Sequence, residues 1–189
     1  MEWNMKKSFD YVGDYHGGLA DVRLNKKWGF IDKIGKVAIP LKYDEVWPFR
    51  SGLAVVRLNG KWGYIDKMGK EVIPLIYEDV RYFKEDLDLA EVKLNGKYGL
   101  IDKAGKVVIP LKYDCIRNFF SEGLAEVKLN GKWGYIDKTG KEVIPLIYED
   151  VRYFKGGTAE VRLNDKWFFI NKDGSRVNSI INWLLKQNW

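Results

Sequence analysis

The stretch GKWGYIDKMGKEVIPLIYEDVRYFK at 60–84 returns at 131–155 with one change, Met68 against Thr139. The two copies lie 71 residues apart in a chain of 189. An enzyme seldom needs two copies of one site. A repeat array does, because each unit buries its hydrophobic face only against the next. The rest of the chain keeps the same frame. Aromatic-Gly pairs stand at Trp28-Gly29, Trp62-Gly63, Tyr98-Gly99 and Trp133-Gly134, with Trp167-Phe168 as a fifth, degenerate copy. Pro40, Pro74, Pro110 and Pro145 each follow the aromatic by 12 residues. The chain therefore reads as five units, about 9–43, 44–77, 78–113, 114–148 and 149–179.

Each unit reads as three antiparallel strands. In LAEVKLN at 124–130, Ala125, Val127 and Leu129 alternate with Glu126 and Lys128, the period of a half-buried strand. Asn130-Gly131 then marks a tight hairpin, since a type I′ turn needs positive φ at both central residues. Asn59-Gly60 and Asn95-Gly96 repeat that signal, whereas Asn25-Lys26 and Asn164-Asp165 lack the glycine. In the second strand, KWGYID, an interior glycine predicts the close approach of another group, here an aromatic ring over each Gly. The turn DKTG has Asp first and Gly fourth, as a type I turn prefers. The third strand, EVIPLIY, is apolar on both faces and is expected to be the most buried; its proline places it at an edge, bulge or bend. YEDVRYF reads as an irregular or short extended connection. The segment 178–189 has Ile181, Leu184 and Leu185 at helical spacing and predicts a short capping helix, with a membrane-surface or partner helix as the alternative.

The motif NGKWGYIDKTGKEVIP, registered five times over about residues 9–179, resembles the WG-repeat (KWG) family of bacterial repeat proteins. The resemblance implies short antiparallel β units, no general catalytic activity, and a role as an interaction module. It also implies a bacterial or phage-related origin. Tyr98, Phe168 and Ser179 depart from the pattern. The expected fold is all-β: an open superhelix or solenoid, with a closed five-bladed propeller-like ring as the alternative. Trp28, Trp62, Tyr98, Trp133 and Trp167, with Gly63, Gly134 and the four prolines, are its structural residues.

The chemistry of catalysis is sparse. The chain has one His, His16, and one Cys, Cys115, about a hundred residues apart. It carries no metal-ligand or nucleophile motif, so no cofactor and no metal are expected. A lone cysteine forms no internal disulfide and fits a reducing compartment. With no apolar run of membrane-spanning length and no signal-like start, a cytoplasmic protein with no membrane partner is expected. The adjacent acids Asp44-Glu45, Glu78-Asp79 and Glu149-Asp150 point to opposite faces of an extended chain and make poor acid–base partners. A structural pairing with Arg81, Arg117 or Arg152, or with a lysine of the next unit, suits them better.

The net charge of +6 is modest, and a nucleic-acid partner is not expected. Cations nevertheless recur in register. Arg23, Arg57, Lys93, Lys128 and Arg162 form one column, expected to be neutralised by Asp21, Glu91, Glu126 and Glu160, with Arg57 left without such a neighbour because Val55 stands there. Lysines 33, 67, 103, 138 and 172 form another in the second turn. These columns read as a solvated rim or as a site for a small anionic ligand such as a nucleotide. A unique binding site needs residues that break the repeat. Those are His16, Trp47, Pro48, Phe49, Arg50 and Val55, with Arg57, Lys67 and Lys138 as further candidate binding residues. Trp47 stands where other units carry arginine. It is either an exposed hot spot for a protein partner or packing at the junction of units one and two.

Overall fold

The computed structural model describes residues 9–178, which are all-β. Repeat one is a sheet with spatial order β1 (Tyr11–His16), β2 (Leu19–Leu24), β3 (Lys27–Asp32), β4 (Val37–Tyr43). Repeat two runs β5 (Glu45–Val46), β6 (Ala54–Leu58), β7 (Lys61–Ile65), β8 (Glu71–Tyr77). Repeat three contains β9 (Asp79–Val80), β10 (Leu89–Leu94), β11 (Lys97–Asp102) and β12 (Val107–Tyr113). Repeat four runs β13 (Cys115–Ser121), β14 (Leu124–Leu129), β15 (Lys132–Asp137), β16 (Glu142–Tyr148). Repeat five has β17 (Asp150–Val151), β18 (Thr158–Leu163) and β19 (Lys166–Asn171). The chain divides into two compact units, and the boundary runs through repeat three, between Gly96 and Val108.

Three strands per unit is therefore an undercount. Repeats one to four are four-stranded meanders, because the segment read as a connection joins the ladder of the repeat that follows it. The amide of Trp47 donates to Val55 O, that of Arg81 to Glu91 O and that of Arg152 to Glu160 O, each at 2.9 Å. A two-residue strand leaves too little period-two pattern to read from sequence. No helix occurs among the described residues, and the expected cap at 178–189 lies outside them apart from Asn178.

The third strand of the motif is not the most buried one. In β16 only Ile144 and Tyr148 are buried, while Pro145 and Ile147 are exposed. It is the last strand of its sheet, and an edge strand tolerates a proline with no amide to donate. Burial concentrates instead in β14 and β15, where Leu124–Val127 and Trp133–Ile136 are buried without a break.

The strand glycine faces backbone rather than an aromatic ring. A Cβ at Gly63 or Gly134 would sit 2.6 Å from the carbonyl oxygen of Ile73 or Ile144, respectively. The glycine thus lets the bulged, proline-bearing strand cross close to its neighbour. The hairpin turns are as read: Asn59 and Gly60 have φ of 53° and 76°, Asn130 and Gly131 of 52° and 79°. Asn25-Lys26 (51°, 66°) and Asn164-Asp165 (51°, 59°) adopt the same turn without glycine. The DKxG turn closes by a bond from the Gly140 amide to Asp137 O at 3.0 Å.

Within the first unit, Phe30, Ile39 and Tyr43 of repeat one interleave with Val46, Phe49, Ala54, Val56 and Ile65 of repeat two. Within the second, Tyr135, Ile144 and Tyr148 meet Val151, Phe154, Ala159 and Ile170. One aromatic stack recurs at these junctions: Phe30 on Phe49 and Tyr135 on Phe154, both at 4.9 Å, and Tyr64 on Phe83 at 5.1 Å. The tyrosine hydroxyls also donate across the junction, Tyr64 to Arg81 O at 2.6 Å and Tyr135 to Arg152 O at 2.7 Å. One side chain thereby supplies both apolar area and a satisfied polar tip.

Candidate interaction surface

The repeat tryptophan is bracketed by two partners. Antiparallel register sets a cation of the second strand opposite each ring: Arg23 opposite Trp28, Arg57 opposite Trp62, Lys128 opposite Trp133 and Arg162 opposite Trp167. Their charged groups lie 5.1–6.0 Å from the ring centroids, a geometry in which the ring quadrupole attracts a cation. The first strand supplies the other partner. Arg117 lies 4.0 Å over Trp133 and Arg152 5.4 Å over Trp167. Repeat one uses Tyr11 instead, and repeat two uses Trp47, each with ring centroids 5.3 Å from the repeat tryptophan.

Trp47 is coupled to a second exception. Arg81 and Arg152 reach back to the buried Glu91 and the partly buried Glu160 at 3.9 and 3.4 Å, and Arg117 is the cross-strand partner of Glu126, which is 1% exposed. In repeat two both members of that pair change together. Trp47 replaces the arginine, and Val55, also 1% exposed, replaces the acid. An apolar pair thus stands in for a buried ion pair, which keeps the site free of an unpaired buried charge. Sequence reasoning found both residues but not their link; the signal lies in their shared register.

Trp47 is half-buried. Its ring packs on Trp62 and, at 4.9 Å, on Tyr82, and its indole N–H donates to Glu45 Oε1 at 3.3 Å. It therefore faces repeat three, not the junction of units one and two. Arg50 lies exposed with its guanidinium 4.2 Å over Tyr82. Arg57 is not left without a neighbour, because Glu45 on the adjacent strand pairs with it at 3.1 Å. Phe49, expected on this surface, is 4% exposed under Phe30 and belongs to the core. The structure therefore gathers Trp47, Arg50 and Arg57 with Trp62, Tyr82 and Glu45. His16 is exposed at the end of β1, and the next residue, Gly17, lies beside Phe49 and under Lys67. Lys138 is exposed in the second unit.

In repeat five the cation of the first column is not balanced by the acid two residues earlier. Arg162 pairs with Glu149 at 3.3 Å, while Glu160 serves Arg152. The first acid of each adjacent pair has another task. Glu78 and Glu149, and Asp10 at the same register of repeat one, accept bonds of 2.9–3.1 Å from the hairpin amides of Gly96, Asn164 and Asn25, respectively. Asp44 pairs with Lys27 at 2.7 Å, and that bond holds its carboxyl below the usual range; Lys97 does the same for Asp114. Burial pushes Asp21 and Glu91 upward, with His16 and Arg81, respectively, opposing the rise. Two turn lysines have acid partners outside their own turns, Lys103 with Asp88 and Lys172 with Glu122. The Cys115 thiol faces Ile116 O at 3.9 Å. Among the described residues no group of three or more His, Cys, Asp or Glu side chains is placed to hold a metal.

The family model "WG containing repeat" matches residues 6–28, 28–62, 62–98, 98–133 and 133–167. The chain belongs to the WG-repeat family. No curated protein matches it. Its fold is similar to that of Kluyveromyces lactis Hsv2, at 11% identity and a TM-score of 0.44, over 88% of this chain and 62% of that one. A eukaryotic initiation factor aligns at 10% identity and TM-score 0.45, over 87% and 52% of the two chains. The WD40 β-propeller domain of Doa1 aligns at 12% and 0.35, over 90% and 67%. The chain thus spans about three fifths of Hsv2.

Proposed function

We propose that this chain is a non-enzymatic scaffold of the cytosol, an open array of WG repeats that binds a protein partner at the surface around Trp47. The observation that carries the reading is the substitution of an aromatic–aliphatic pair, Trp47 and Val55, for the arginine–acid pair of the later repeats. It gives one repeat a half-exposed indole beside Tyr82 and Arg50. Trp, Tyr and Arg are the residues that most often dominate binding energy at protein interfaces. The open array rests on the departures from the motif in repeats one and five, Asn25-Lys26 and Asn164-Asp165 at the hairpins and Phe168 for the strand glycine.

The test is affinity capture with the wild-type chain and with Trp47→Arg, which installs the residue that positions 81, 117 and 152 carry. The expected result is a partner retained by the wild type and lost from the variant, at a temperature where a cooperative melt shows both chains folded. Equal capture by both would remove Trp47 from the site.

A further inference from the structure

The two copies of the 25-residue stretch differ at one residue, and it stands at the tip of a turn. The tip position of the DKxGK turn carries Ile34, Met68, Ala104 and Thr139 in successive repeats, and Asp173 in the last. The turn does not need an apolar tip. Asp32, Asp66 and Asp137 each accept the tip amide and the amide two residues on, whether the tip is Ile, Met or Thr. Yet Ile34 is 84% exposed and Met68 is 87% exposed. Neither side chain packs, so neither serves the fold.

Their surroundings are basic. Lys33 and Lys36 flank Ile34, and Lys67 and Lys70 flank Met68. The acids of the same turns, Asp32 and Asp66, are turned back onto turn amides. The second turn packs on the strand that leaves the first: a Cβ on Gly69 would rest on Ile39 at 3.4 Å. The β1–β2 hairpin touches both turns: the exposed Tyr15 donates its hydroxyl to Asp32 O at 3.1 Å, and Gly17 lies under the Lys67 side chain. Aliphatic tips, an aromatic ring with a polar end and flanking lysines are the composition of a surface that rests at the headgroup level of a bilayer.

We propose that this rim of the first unit docks on an anionic lipid surface, with Ile34 and Met68 entering the acyl boundary and Lys33, Lys36, Lys67 and Lys70 meeting the headgroups. The acid-tipped turn of repeat five, with Asp173, does not fit such a surface. Docking of this kind needs no spanning helix, and it does not depend on the Trp47 reading.

The experiment is co-sedimentation of the full chain with vesicles of phosphatidylcholine containing about one third phosphatidylserine, against phosphatidylcholine alone. Binding to the anionic vesicles alone, weakened by salt of about 0.5 M, is expected. The double variant Ile34→Thr, Met68→Thr takes the tip residue that repeat four already carries, so it keeps its melting temperature. It should lose about tenfold or more in partitioning. In the wild-type chain, peroxide oxidation of Met68, followed by mass spectrometry, should slow on the anionic vesicles. No sedimentation with anionic vesicles overturns the proposal. So does a double variant that binds as well as wild type, or a Met68 that oxidises equally fast bound and free, since lysines alone would then account for the adsorption.

Discussion

Residues 60–84 and 131–155 are one sequence placed in two settings. Inside the copy the structures agree closely. Tyr64 and Tyr135 make the same bond to a carbonyl one repeat on, and Gly63 and Gly134 make the same backbone approach. The settings differ in what the preceding segment supplies. Trp62 is bracketed by Trp47 and Arg57, whereas Trp133 is bracketed by Arg117 and Lys128. Burial pushes both tyrosine hydroxyls far above their ordinary range; beside Tyr135 the Glu126 carboxylate adds to the rise, where repeat two has Val55. A repeat sequence thus specifies its own sheet, while the residues just upstream decide the chemistry of its surface.

The largest expected effect tests the shared part of that comparison. Gly63→Ala and Gly134→Ala each drive a methyl into a neighbouring carbonyl, and each should destabilise by about 3 kcal/mol or more in denaturant titration. Similar losses at both sites would sharpen the case that the copies are equivalent; a tolerated alanine at either would break it.

The next effect tests the part that differs. Val55→Glu buries a carboxylate beside Trp47 with no arginine to meet it, at about 2 kcal/mol. Adding Trp47→Arg should recover most of that loss, because it restores the pair seen at Arg81 and Glu91. A double variant as unstable as the sum of its two single changes would show that the two positions are uncoupled.

The smallest effect is a pH dependence. Burial raises the pKa of Glu91, with Arg81 opposing. The folded state therefore holds its proton to higher pH than the unfolded chain does. Stability falls as pH rises from the ordinary glutamate range through the raised folded value. Glu91→Gln should flatten that slope, so the variant gains on the wild type as pH rises to neutral. Parallel profiles would mean that the carboxylate is already fully compensated by its arginine.

Much of the fold was legible because it rests on local rules. Asn-Gly at three hairpins, Asp and Gly at the ends of each DKxG turn, and period-two alternation in LAEVKLN each act within a few residues. The fourth strand was not legible. Asp79–Val80 is two residues long and owes its extended form to the partner that bonds it, not to its own pattern. The strand glycine was flagged, but its neighbour was misjudged, since nothing in KWGYID says that a bulged strand will cross beside it. Of the candidate site, Trp47 and Arg50 were found as breaks in the repeat, and Arg57 through the Val55 two residues before it. Phe49 was grouped with them, yet it stands in register with Phe83 and Phe154 and makes the same ring contact at its junction. Tyr82 escaped notice because it matches the repeat.

The sequence by itself determined the repeat length, the sheet-forming unit and the family, because turn geometry and strand alternation are short-range and were written five times. Only the tertiary structure decided which acid meets which cation, which aromatic is core and which turn tips face solvent. Those outcomes depend on side chains one strand or one repeat away, and backbone register, not sequence spacing, brings them together.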